Sequence, residues 1–317
     1  LATMPMLFPM GVQMGCPAGL VLGAICSGSE FGNNLSPISD VTITSSIGQE
    51  VEIADTVRTR VWYSIAAGVP ALILFFVFGL VTTTGIDSAS LNADNSNLLG
   101  LVFIIIPVLV AVLILRKANF LVALVVGDLL GIILLLVLGY ADVASIFAAD
   151  GLLASGTTSL MDVLIFMALI FVVLAMTEDA GVLDSFQTFM TRHAKSPRMA
   201  EVVSGAFTCV FCAVTGSGMS SIAFVSPIIR NIMKPFHIAR TRAANYIAGF
   251  ASGVSWMVPH GVNTLTALAV AIGTGAVGSD FTMLNFIPYN FFCIALIVVY
   301  WVAILTGIGR KKEEGDA

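Results

Sequence analysis

Ionisable residues are scarce in this sequence, and a few stand where water is not expected. Asp40 follows Ser36-Pro37-Ile38-Ser39 and precedes Val41-Thr42, with Asn33 and Asn34 just upstream. A carboxylate among hydroxyls, amides and carbonyls freed by a proline break makes a hard-oxygen set. Such a set suits a small cation such as sodium. The same residue type at the same place also N-caps a helix beginning near Val41, and the two roles can coexist. Glu30 lies three residues before Asn33. A charge at mid-membrane costs roughly 2.5–3.5 kcal/mol on insertion scales, so it faces a cavity or a partner. Burial disfavours a bare carboxylate, and either a proton or a cation relieves that cost, which is what an exchanger needs. The plainer reading puts Glu30 at the membrane interface. Asp128 stands alone in an apolar run beside Gly127 and Gly131. It is either a second proton-carrier candidate or a protonated side chain packed at a helix contact.

Two more polar clusters interrupt apolar runs. In Pro259-His260-Gly261-Val262-Asn263-Thr264, a neutral imidazole can ligate or shuttle protons, or simply satisfy freed backbone. In Thr215-Gly216-Ser217-Gly218-Met219-Ser220-Ser221, the hydroxyls of Ser217 and Ser220 are candidate ligands beside two helix-breaking glycines. His193 and His237 lie among basic residues and read as solvated, and Glu178 and Asp179 as interfacial. Cys209 and Cys212 form a CxxC with no second pair or nearby histidine, and read as helix packing. No Walker motif supports an ATP-driven pump, and no zinc, triad or dinucleotide pattern supports an enzyme.

The elements that position these groups follow from composition. Of 317 residues, 58% are hydrophobic and 10% charged, and the mean hydropathy is +1.00. A soluble domain carries about 25% charged residues. Apolar stretches at 4–29, 62–84, 98–115, 119–140, 160–177, 200–229, 243–275 and 286–307 predict an all-α polytopic membrane protein. No strand-length alternation suggests a barrel.

Lysine and arginine sort the connections. Arg58 and Arg60, Arg116 and Lys117, the groups from Arg192 to Arg198 and from Arg230 to Arg242, and the Arg310–Lys312 tail alternate with connections that carry none. The alternation fails only at 200–229, which is basic at both ends. It holds if that segment is a re-entrant hairpin of two arms of about 14 residues, tipped by the Gly/Ser run. All basic residues, and the C-terminus, then lie on the cytoplasmic side. The alternative is one long tilted helix with a glycine kink.

The stretches 4–47 and 243–275 each read as two half-helices around a polar break, running in opposite directions. Paired interrupted helices of opposite direction point to an inverted-repeat transporter with its site at the midplane. The last broken helix and span of the first repeat would occupy 1–84, and the second repeat 98–309. The rest of the first repeat would precede Leu1.

Gly32-Asn33-Asn34-Leu35-Ser36-Pro37-Ile38-Ser39-Asp40 resembles the NhaC-type sodium/proton antiporter family, which reads Gly-Asp-x-x-Ser-Pro-x-Ser-Asp-Thr in this region. Val57-Arg58-Thr59-Arg60, Met176 to Leu183, and Thr215 to Pro227 are similar to further family stretches. Asn33, Val41 and Pro259-His260-Gly261 depart from the family's Asp, Thr and Pro-Trp-Asn. The resemblance implies two inverted repeats and sodium/proton exchange across the inner membrane. The alternative is a sodium- or proton-coupled carrier of an organic carboxylate or amino acid. The ions bound or carried are sodium and protons, with no other cofactor expected. The bilayer is the expected partner, a homodimer is left open, and nothing points to nucleic acid.

Overall fold

The computed structural model describes residues 4–37, 39–83, 105–115, 120–148 and 194–310, with isolated positions between them. These residues form an assembly of helices, with no strand among them. The expected span 160–177 lies largely outside the described residues, and Glu178, Asp179 and His193 lie wholly outside them.

The first broken helix is α1 (Met4–Gln13), α2 (Ala18–Leu35) and α3 (Asp40–Gln49). An interruption at 14–17, ahead of Pro17, was not anticipated. The polar break is shorter than its sequence suggests: 30–34 stays helical, and the interruption falls at Ser36, Pro37 and Ser39. Pro37 has no N–H and pushes Ser36 to an extended conformation (φ −78°, ψ 127°). Ser39, not Asp40, caps α3: its Oγ accepts from Thr42 N–H at 3.2 Å. The cap expected of Asp40 is therefore corrected by one residue. Asp40 sits in the first turn, where a carboxylate complements the helix dipole.

Helix α4 (Ile53–Thr83) starts well before 62. At 31 residues it runs about 46 Å, more than a bilayer needs, so its first turns pack on protein. Helices α5 (Ile105–Leu115) and α6 (Phe120–Val137) pair, with Gly127 letting Val110 approach. Helix α7 (Val143–Phe147) is a short piece closed by an Asp142–Ser145 capping box.

The segment expected at 200–229 is a helical hairpin, α8 (Pro197–Thr215) and α9 (Gly218–Met233), whose arms pack on one another. The arms have 19 and 16 residues, longer than anticipated. The tip needs Gly216, whose φ of +63° places it in the left-handed region. The second broken helix is α10 (Arg240–Ser255) and α11 (Val262–Gly273), interrupted at 256–261. The last helix, α12 (Phe291–Thr306), is bent 52° from the short turns that precede it.

Helix α10 is the centre of the molecule. Every residue from Arg242 to Ser255 is buried, and α3, α4, α8, α9 and α12 all pack against it. It is rich in Ala, Gly and Ser, which allow close helix approach. Gly249 is one such point, where a Cβ would overlap the Tyr300 ring. One end of this core is fastened by Glu201. Its carboxylate accepts from Arg242 Nε at 2.6 Å and Arg310 Nε at 3.2 Å. Among the described residues, Ile53–Thr82 and Pro197–Thr215 are long and apolar enough to cross a membrane. The bent pair ending in α12 passes the same test when taken together.

Candidate functional site

Helix interruptions bring the polar groups together. The hairpin tip meets the second break where Gly216 O accepts from Val262 N–H at 3.0 Å. At the same contact, a side chain on Gly216 would press on His260. The end of α2 meets the second break through Glu30, whose Oε2 accepts from Trp256 Nε1 at 2.8 Å. Trp256 O in turn accepts from Asn290 Nδ2 at 3.0 Å. One carboxylate thus ties α2 to the second break from 226 residues away.

Glu30 is 3% exposed. Its hydrogen-bond donors are neutral: Trp256 and, more distantly, Asn33 Nδ2 at 3.4 and 3.5 Å. No arginine, lysine or histidine among the described residues pairs with it. Buried oxygens on the elements that meet here are also short of partners. Ser252 Oγ, Asn34 Oδ1 and Asn290 Oδ1 accept no hydrogen bond among the described residues. A buried carboxylate with no cation in contact, on elements that also carry unsatisfied neutral oxygens, is an arrangement that a proton or a small cation completes.

The remaining sequence candidates divide into three groups. Asn33 joins Glu30, and Asn34 is held by Ser64 on α4 at 2.7 Å. Ser217 and Ser220 face each other at the tip, their hydroxyls 3.1 Å apart, with Ser217 capping α9. Asn263 Nδ2 reaches Ser255 Oγ at 3.5 Å, and Thr264 Oγ1 donates to Ser255 O at 3.3 Å. His260 is half-buried beside the tip.

The first break is less suited to sodium than its sequence promised. Asp40 is exposed, and its Oδ1 accepts from Val41 N–H at 2.8 Å. Ser36 is half-buried, Ser39 is spent on the cap, and Thr42 Oγ1 is held by Arg60 Nη1 at 2.8 Å. A cation has little reason to share an oxygen already bound to a guanidinium. Asp128 lies on an exposed side of α6, while Gly127 and Gly131 provide the contact with α5. It is not part of the Glu30 cluster.

The profile of the Na+/H+ antiporter family matches residues 1–80 and 28–99, the part carrying α1 to α4. Over 97% of its length the chain is 25% identical to the Na(+)/H(+) antiporter NhaC of Alkalihalophilus pseudofirmus, of which the match covers 69%. The chain is thus similar to NhaC-type sodium/proton antiporters along most of its length. Other relatives differ in name. The malate-2H(+)/Na(+)-lactate antiporter of Bacillus subtilis is 28% identical over 92% of the chain and 66% of its own length. The arginine/ornithine antiporter ArcD of Halobacterium salinarum is 41% identical over 76 residues, 24% of the chain and 16% of that protein. The chain thus spans about two thirds of the two relatives that it matches along most of its length. No solved structure matches it.

Sequence reasoning missed Trp256, Ser252, Ser64, Asn245 and the inward role of Arg60. Trp256 had a usable signal, since an indole N–H buried in a broken helix needs an acceptor. Arg60 had one too, because the basic pair Arg58 and Arg60 continues directly into the apolar run of α4.

Proposed function

We propose that the chain exchanges sodium ions for protons across the inner membrane, with Glu30 as the carboxylate that holds either ion in turn. The observation that carries this reading is Glu30 itself, a buried carboxylate served only by neutral donors where α2 meets the second break. A single negative charge of this kind cannot hold a proton and a sodium ion at once, so loading one releases the other. Asn33, Ser252 and the carbonyls of the break supply the rest of a hard-oxygen shell. The hydroxyls of Ser217 and Ser220 and the groups of His260, Asn263 and Thr264 flank it across the tip. In this reading Asp40 contributes field from the first turn of α3 rather than a ligand.

The architecture supports alternating access. Helix α10 begins at a basic cytoplasmic connection and breaks after 16 residues, about 24 Å along, close to mid-bilayer. The tip of the hairpin lies level with that break. A re-entrant hairpin and two opposed broken helices, one per repeat in 1–84 and 98–309, would place the cluster at the pseudo-symmetric midplane.

A second reading, sodium- or proton-coupled exchange of an organic carboxylate or amino acid, draws on the names of the malate/lactate and arginine/ornithine relatives. Proteoliposomes containing the full-length protein separate the two. A sodium gradient alone should drive proton movement, read with an internal pH dye. If proton movement appears only when malate, lactate or an amino acid is added, the organic-solute reading replaces the simpler one.

A further inference from the structure

Arg60 is the least expected charge in the molecule. It lies in α4 with its side chain completely inaccessible, and it is among the largest fully buried residues. Its guanidinium makes three hydrogen bonds, all to neutral oxygens: Nε to Asn245 Oδ1 at 3.0 Å, Nη1 to Thr42 Oγ1 at 2.8 Å and Nη2 to Ser45 Oγ at 3.3 Å. No carboxylate among the described residues forms an ion pair with it. The hydroxyl of Tyr300, buried and without a hydrogen-bond partner among the described residues, stands near enough to feel its charge.

A buried charge is expensive to keep, and a structural arginine normally meets that cost with a carboxylate. The same molecule shows the ordinary solution in Arg242, which is paired with Glu201. Joining α3, α4 and α10 through hydrogen bonds needs no charge at all. What remains unexplained is therefore the positive charge. The acceptors offer an account. Two hydroxyls and an amide oxygen, converging from α3 and α10, are the neutral hard-oxygen donors that an alkali cation takes in a helix-break site.

We propose that Arg60 is a tethered cation filling a would-be second cation site, so that the carrier loads one sodium ion per chain. The inference rests on the reading of Glu30 as the sodium carboxylate. Glu30 and Arg60 are near enough to interact but are not in contact. With Glu30 ionised, the two buried charges balance. With sodium at Glu30, the guanidinium leaves one positive charge, and a further cation is repelled from the oxygens it covers. The same guanidinium keeps Thr42 and Ser45 out of the sodium shell.

The test is equilibrium binding of radioactive sodium to the purified full-length protein. Wild type should bind one sodium ion per chain with a Hill coefficient of one. Arg60→Ala should bind two, with a Hill coefficient above one, while Arg60→Lys, which keeps a tethered cation, should still bind one. If Arg60→Ala cannot be purified folded, Arg60→Gln decides, since it removes the charge and leaves an amide oxygen as an extra donor. Two ions per chain supports the proposal, and one ion at wild-type affinity overturns it. A wild-type protein that binds no sodium would instead overturn the assignment of Glu30, so the two failures are distinguishable.

Discussion

Replacing Glu30 with glutamine removes one charge and almost nothing else. The side chain keeps its length, and Gln Oε1 can still accept from Trp256 Nε1, which donates at 2.8 Å in the native protein. What is lost is the attraction between a carboxylate and the ion beside it. Two unit charges 4 Å apart in an effective dielectric of 20 attract by about 4 kcal/mol. At about 1.4 kcal/mol per decade, that is roughly a thousandfold in sodium affinity. The proton-accepting group disappears with it, so antiport should be lost even when high sodium offsets the weaker binding. Stability should change little, because shedding the buried charge of Glu30 is offset by leaving buried Arg60 without the opposite charge that it feels. The assay is sodium-driven proton flux in proteoliposomes, read beside thermal unfolding in detergent. A folded Glu30→Gln protein that transports with native sodium dependence would refute the reasoning. Activity lost together with a large fall in unfolding temperature would show that Glu30 acts through the fold instead.

Three further outcomes follow from local geometry. Ser39→Ala should destabilise by roughly 0.5–2 kcal/mol through loss of the α3 cap, whereas Asp40→Asn should leave the unfolding temperature unchanged and weaken sodium dependence less than Glu30→Gln does. If Asp40→Asn proves the costlier for stability, the cap has been assigned to the wrong residue. Gly216→Ala should cost about 1–2 kcal/mol for its left-handed backbone, and more as the added Cβ meets His260 Cδ2 at 3.0 Å. An unchanged melting temperature would mean that the hairpin tip is not seated on the second break. Glu201→Gln should be the most destabilising of the three, by about 3–5 kcal/mol, because it strands Arg242, which is 6% exposed. Recovery of native stability in a double variant with Arg242→Met would confirm that the loss is an uncompensated charge.

The polar interruptions were legible because membrane helices have few reasons to carry Ser-Pro, Pro-His-Gly or Gly-Ser-Gly. Those motifs located the break after Leu35, the break after Ser255 and the hairpin tip at Gly216. The basic residues at both ends of 200–229 pointed to a hairpin. What sequence could not supply was contact between distant elements. Nothing near Glu30 says that its donor is Trp256, and nothing near Thr42 says that a guanidinium already holds it. The cap was misplaced for a smaller reason, since Ser39 and Asp40 are both good caps and only the backbone decides where the first turn closes. Arg60 was misread because the positive-inside rule treats basic residues beside a span as interfacial. Here α4 begins at Ile53, seven residues before Arg60, and carries it inward.

The central claim is that one carboxylate holds sodium or a proton, never both. It is tested most directly by counting protons released when sodium is added to the detergent-solubilised full-length protein in weakly buffered solution, across a pH series. The account predicts proton release that saturates with sodium binding, approaches one proton per ion where the site starts protonated, and vanishes in Glu30→Gln. Sodium binding with no proton release at any pH, or undiminished release from Glu30→Gln, would contradict it.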